Sequence, residues 1–437
     1  MPYIASLTGS IYHPRHRPMM SHDAAENPSL APELVDAVAA HLEDDADTLR
    51  SAALVSRIWC QAMRPYLFRR ISIEYEEDSA KQARALQRLA GYMAGGSDDA
   101  PASPELARYV HALGIGADAV YDSGKVQRRV GVLNATVALV EALVQRGQLT
   151  ELAVRDARRP LDLHLLDALD NLLNTQPLAA VTLLGRTIPG RLISSALSIP
   201  SLRQLHLYDA PLFVPRAPPR SIALEALAWS ESLGKHLRYL CDPESSLDLR
   251  KLQFFGNSSP EELGEVATLL RSTGADASLK SLRITGPSSY REEPADPFDL
   301  SMLPNLTTLD AFVQHTTDYS ALPWFCAFLD HVAADHPLTT LRLRLNLRSL
   351  QSMALVLHSP AAAAAASAQS NVPAGMPAWV VGWDDLDKIL ARGAFHALRD
   401  VHVHFEGGFE SEEDAQFLPQ LFPALRTKAV TVTFSWS

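Results

Sequence analysis

Apolar residues recur along most of this chain in a frame L-x-x-L-x-L, with substitutions. It begins at Phe68/Ile71/Ile73, Val110/Leu113/Ile115, Leu149/Leu152/Val154, Leu178/Val181/Leu183, Leu202/Leu205/Leu207 and Leu224/Leu227/Trp229. It continues through Leu249/Leu252/Phe254, Leu279/Leu282/Ile284, Leu306/Leu309/Ala311, Leu338/Leu341/Leu343 and Leu398/Val401/Val403. From Leu149 to Leu338 the starts lie 29, 24, 22, 25, 30, 27 and 32 residues apart, a period at which repeat architectures are built. Alternation within each frame predicts a short strand, and the stretches between them read as helices, most clearly 130–145, 161–173 and 260–271. A strand and helix of this length cannot bury their apolar faces alone, so neighbours must stack. The pattern predicts a mixed α/β solenoid of eleven strands. Val430-Thr431-Val432-Thr433-Phe434 alternates as well and predicts a closing strand over the open edge.

A different pattern precedes the array. Between Asn27 and Arg70, Leu34, Val35, Val38, Ala39 and Leu42 form one helical stripe, and Pro32 sits in its first turn, where a missing N–H costs nothing. The acidic break at Glu43, Asp44, Asp45 and Asp47 supplies a loop and an N-cap for a second helix from about Thr48. Leu49, Ala52, Ala53 and Ser56 line one face of that helix, and Leu54, Val55, Ile58, Trp59 and Met63 carry apolar surface into a third. Three such short helices present more apolar surface than they can bury among themselves.

The run Leu30-Ala31-Pro32-Glu33-Leu34, the acidic gap, Leu49, and then Ala53-Leu54-Val55-Ser56-Arg57-Ile58-Trp59 resembles an F-box. Tyr66-Leu67-Phe68-Arg69-Arg70-Ile71-Ser72-Ile73 resembles the passage from box to first strand in fungal F-box proteins, and the array resembles irregular leucine-rich repeats. Ala31 stands where the box family usually carries proline, and no ladder of Asn or Cys follows the strands. The resemblance implies an α/β protein with an F-box-like module at 27–70 and a leucine-rich-repeat horseshoe at 71–437; composition predicts a disordered leader at 1–26 and a flexible insertion near 359–377. Its implied function is that of a substrate receptor in a cullin-RING ubiquitin ligase, not an enzyme. The box would dock a Skp-type adaptor through Leu30, Pro32, Leu34, Val38, Leu42, Leu49, Leu54, Val55 and Trp59. The alternative is a leucine-rich-repeat scaffold whose helical unit only caps the solenoid.

Composition narrows the classes. At 437 residues, 47% hydrophobic and 20% charged, the chain can bury a large core. No run of about 18 apolar residues predicts a membrane span. Cys60, Cys241 and Cys326 are far apart and unpaired in spacing, which fits a reducing compartment, cytoplasmic or nuclear. A net charge of -11 argues against nonspecific nucleic-acid binding. The leader carries His13, Arg15, His16 and Arg17 but lacks the apolar core of a secretory signal.

Catalytic motifs are missing: there is no Gly-rich phosphate loop, no G-x-S-x-G, no H-E-x-x-H and no zinc spacing. Neither a cofactor nor a metal is predicted; His402 and His404 share a strand face but have no third ligand in view, and with Asp400 they are the residues an enzyme reading would turn to first. In each frame the L-x-L residues point inward, so those flanking them line the concave side. That side collects Arg155, His206, Tyr208, Lys251, Phe255, Arg283, Phe312, Arg342, Arg344, His402 and His404, with Glu151, Asp310 and Asp400 as the acids. Five cations against three acids reverse the sign of the whole chain. A client protein offering an acidic or phosphorylated segment is the expected partner of this face, with the first nine of those residues as its contacts.

Overall fold

A computed structural model of the chain describes residues 31–43, 45–74, 78–95, 105–116, 129–155, 161–185, 187–208, 222–229, 247–257, 262–287, 298–314, 320–332, 335–346, 382–406 and 418–436. The leader, Leu30, Cys241, the proline-rich stretch 211–220 and the insertion 359–377 lie outside these residues, as does most of 286–297. The chain forms two compact units, Met1–Leu202 and Arg203–Ser437.

The first unit opens with three helices, α1 (Pro32–His41), α2 (Ala46–Ala53) and α3 (Arg57–Leu67). Strands and helices then alternate: β1 (Arg70–Ile73), α4 (Ser79–Ala94), α5 (Leu106–Tyr109), β2 (Ala112–Gly116), α6 (Val130–Arg146), β3 (Glu151–Arg155), α7 (Leu163–Thr175), β4 (Ala180–Leu184) and α8 (Gly190–Ala196). The four strands pair in parallel and in chain order. Their helices pack in the same sequence, α4 on α6, α6 on α7 and α7 on α8. Local chemistry sets the helix limits: the Asp78 carboxylate accepts from Lys81 N at 2.9 Å to start α4, and Gly95 ends it at φ 111, a conformation that costs a side chain dearly.

The second unit holds β5 (Gln204–Tyr208), β6 (Ile222–Ala223), β7 (Ala226–Trp229), β8 (Leu247–Asp248), β9 (Phe254–Asn257), α9 (Leu263–Thr273), β10 (Ser281–Thr285), β11 (Thr308–Gln314), α10 (Leu322–Asp330), β12 (Thr340–Asn346), α11 (Trp383–Leu390), β13 (Asp400–Glu406), α12 (Pro423–Arg426) and β14 (Thr431–Trp436). Eight of its strands pair in parallel in the order β5-β7-β9-β10-β11-β12-β13-β14, and β6 and β8 form a separate short pair. Among the described residues the chain is thus mixed α/β, and the twelve parallel strands other than β6 and β8 fall where the eleven frames and the closing strand were predicted, one of them in a shifted register.

One backbone device recurs at the start of the strands. The residue before a strand offers its carbonyl to two successive amides of the next repeat: Arg69 O accepts from His111 N and Ala112 N, His111 O from Thr150 N and Glu151 N, and Thr150 O from Ala179 N and Ala180 N. The same arrangement runs from Arg203 through Glu225, Gln253, Lys280 and Thr307 to Thr339. It holds the strands in one register, so the frame residues stack into columns. Leu205, Leu227, Phe255, Leu282, Leu309, Leu341, Val401 and Val432 align through the second unit. All but Val432, on the last strand, are at most 1% exposed, and each such side chain contributes about 1.5–3 kcal/mol of hydrophobic burial.

The columns correct one register. The seventh frame is Leu252/Phe255/Asn257, not Leu249/Leu252/Phe254, since Phe255 pairs with both Leu227 and Leu282. Leu249 is buried too, in the chain leading to the strand, and so imitates a frame start. Beginning the repeat at Leu252 makes the flanking spacings 28 and 27 residues in place of 25 and 30.

The last repeat depends on a buried carboxylate. Asp387 on α11, 1% exposed, accepts from Ala424 N at 2.7 Å and Leu425 N at 3.0 Å, which caps α12 just before β14. Asp387→Ala leaves two amides without an acceptor and is expected to lower the unfolding free energy by about 1–3 kcal/mol in urea titration. An unchanged midpoint would mean that this cap contributes nothing.

Candidate functional site

Two surfaces carry the residues singled out from the sequence, one on each unit. On the first, α1 starts without a side-chain cap, yet Ala31 adopts φ −58, the value proline would impose, and its carbonyl accepts from Leu34 N at 3.0 Å. The alanine therefore preserves the turn that a proline would give. Asp45 caps α2 through Thr48 N at 3.0 Å, and the Thr48 hydroxyl hydrogen bond holds its carboxyl below the usual range. Ser56 does not extend the face of α2, which ends at Ala53, but caps α3 through Trp59 N. Glu43 and Arg69 pair at 2.7 Å, joining the acidic gap to the end of the module.

These helices have a small core of their own. Ala39, Leu49 and Met63 are buried at its centre, and Leu42, Ala52, Ala53, Trp59, Ala62, Tyr66 and Leu67 pack around them. The stripe on α1 divides: Val35 and Ala39 turn inward, whereas Leu34 and Val38, rotated by one residue, stay 54% and 40% exposed. Leu54 and Val55 in the α2–α3 turn are 84% and 69% exposed, and Ile58 in the first turn of α3 is 42% exposed. These five are the majority of the eight large hydrophobic residues exposed among the described residues. Single exposed leucines need no explanation, whereas here most of them are concentrated on one small module. Of the nine predicted adaptor contacts, Leu49 is core, Leu42 and Trp59 are half-buried against it, and Pro32, Leu34, Val38, Leu54 and Val55 are exposed. Ile58 joins them, and its place just ahead of the half-buried Trp59 was the available signal.

The second surface is the sheet face opposite the buried columns. Across it run His206, Ala228, Gly256, Arg283, Asp310, Arg342, His402 and Thr433, each beside the next. Asp310 is 4% exposed and holds two guanidiniums on one oxygen: Arg283 Nε donates to Oδ2 at 2.9 Å and Arg344 donates through a terminal nitrogen at 2.8 Å. Arg342, directly opposite Asp310, is exposed and has no ion pair among the described residues. Phe312 is half-buried in register with Arg344. His402 and His404 hydrogen-bond to Thr433 Oγ1 at 2.5 Å and Ser435 Oγ at 2.9 Å. No group of three metal-ligating residues occurs among the described residues, and no described helix is long and apolar enough to cross a membrane.

At the other end of this row His206 meets Tyr208 edge-on at 6.2 Å and Phe254 at 6.1 Å. The Arg283 guanidinium carbon sits 5.5 Å from the Phe254 ring centre, within cation–π range. Phe254 leans over Gly256, where a Cβ would lie 3.3 Å from the ring. Because the seventh register is shifted, Phe255 is a core residue at 0% exposure and Phe254 has the outward place predicted for it. Lys251 stands exposed in the turn before β9, not on the strand face. Arg155 lies half-buried on β3 of the first unit and is not part of this cluster.

No protein-family model matches the chain, and no curated protein sequence matches it.

His206 gives this face a measurable signature. Its Nε2 is buried with no hydrogen-bond partner among the described residues, and burial, then the Arg283 charge, depress its pKa below 6.5. The unfolded chain therefore takes up a proton that the folded chain refuses, so this contribution to stability is full above pH 6.5 and is lost as pH falls. His336, also buried and depressed, acts with the same sign. His206→Gln is expected to flatten the acid-side decline in unfolding free energy by up to about 1.4 kcal/mol per pH unit. Parallel wild-type and variant curves would show that the ring is not desolvated.

Proposed function

We propose that the chain is a substrate receptor of a cullin-RING ubiquitin ligase, with an F-box-like module at 27–70 and an irregular leucine-rich-repeat solenoid from 71 onward. The exposed set Leu34, Val38, Leu54, Val55 and Ile58 carries this reading, standing on a module whose core of Ala39, Leu49 and Met63 is already complete. Hydrophobic residues left outside a finished core favour a partner surface over self-burial. A module that served only as an end cap would turn those residues onto the first strand–helix pair, so their exposure counts against the scaffold reading. The adaptor would cover them, and burying several at about 1.5–3 kcal/mol each outweighs the cost of association. The second unit would hold the client through the arginines and aromatics of its sheet face. Positioning, not bond chemistry, is then the mechanism.

The test is capture of purified Skp-type adaptor by the full chain, compared with Leu34→Asp and Leu54→Asp. Stoichiometric capture by the wild type is expected, with a loss of roughly thirtyfold or more in each variant. Both side chains are exposed, so the melting temperature should hold. Wild-type protein that captures no adaptor would refute the ligase reading.

A further inference from the structure

We propose that the sheet face of the second unit binds a phosphoryl group on a client segment, held by Arg283, Arg342 and Arg344 around Asp310. This rests on the client-binding reading above and assigns the chemistry of that site. Three guanidiniums against one buried carboxylate leave two positive charges on the cluster. A phosphomonoester dianion neutralises that excess, while a glutamate carboxylate matches half of it.

Geometry points the same way. Asp310 occupies one nitrogen of Arg283 and one of Arg344. It thereby fixes two forked donors side by side at little further entropic cost, and their remaining N–H groups have no partner among the described residues. Arg342 enters from the opposite strand position with every donor free among the described residues. A phosphoryl group offers three acceptor oxygens to these three forks, and a carboxylate offers two.

The surroundings suit a protein segment more than a free anion. Ser281, Thr308 and Thr340 lie in adjacent register on the same face, and their hydroxyls have no partner among the described residues. They can bond the backbone of an extended segment crossing the strands. Phe254 and Tyr208, both half-buried, supply a flanking aromatic contact.

The experiment uses the full chain and fluorescent degenerate peptide pools with a fixed central phosphoserine, phosphotyrosine or glutamate. At least one phosphorylated pool is expected to bind about tenfold or more tightly than the glutamate pool. Arg342→Gln, which alters an exposed side chain without an ion pair among the described residues, should lose about tenfold of that binding while melting normally. Inorganic phosphate should displace the pool only at far higher concentration. Equal binding of phosphorylated and glutamate pools, unchanged binding to Arg342→Gln, or displacement by phosphate at the pool's own concentration would each overturn the proposal. Adaptor capture by the same preparations separates the two readings. Pool selectivity without adaptor capture sinks the ligase role alone, and capture without selectivity sinks this site alone.

Discussion

The lateral pairing of one strand with the next is the constraint on which both units depend. No single repeat can bury its three frame residues, so Leu279, Leu282 and Ile284, all at 0% exposure, are covered only because the repeats on either side stand in register with them. The doubly accepting carbonyls before the strands make that register a backbone property. Side chains can therefore vary widely, from Phe255 to Ala311, without shifting the columns.

That regularity supplies a platform for irregular chemistry. With inward positions committed to the core, outward positions carry side chains that packing does not dictate, and the second unit uses them unevenly. Ala228 and Gly256 carry almost no side chain, Phe254 leans into the space, and Arg283 connects the aromatic end to the charged one through both Phe254 and Asp310. Asp310 matters most: alone it would be a buried carboxylate with a severe desolvation cost, and the two guanidiniums relieve that cost while being held in place themselves.

The N-terminal helices follow another logic. Their core of Ala39, Leu49 and Met63 is complete but small, and the hydrophobic residues outside it sit one helical step away or in the connecting turn. A rotation of about 100° per residue separates Val35, buried, from Leu34, exposed. The side chains that fold the module and those it leaves exposed thus sit on the same helix, one residue apart.

The twelve strands, their order in the chain and the three short helices were legible in the sequence, because hydrophobic period and capping residues act locally. The cap at Asp45 is of that kind, whereas the sequence pattern places Ser56 on the α2 face and does not predict the cap at Asp78. What the sequence left ambiguous was any choice between two apolar residues close together. Leu249 and Leu252 both qualify as a frame start, and Leu34 and Val35 both belong to the α1 stripe. Which of each pair takes the core position depends on what neighbouring strands and helices leave free, a tertiary matter. Likewise the arginines were visible one by one, but their convergence on a single carboxylate was not. Arg283, Asp310 and Arg344 come from three strands spanning about sixty residues, and only parallel pairing brings them within hydrogen-bond reach.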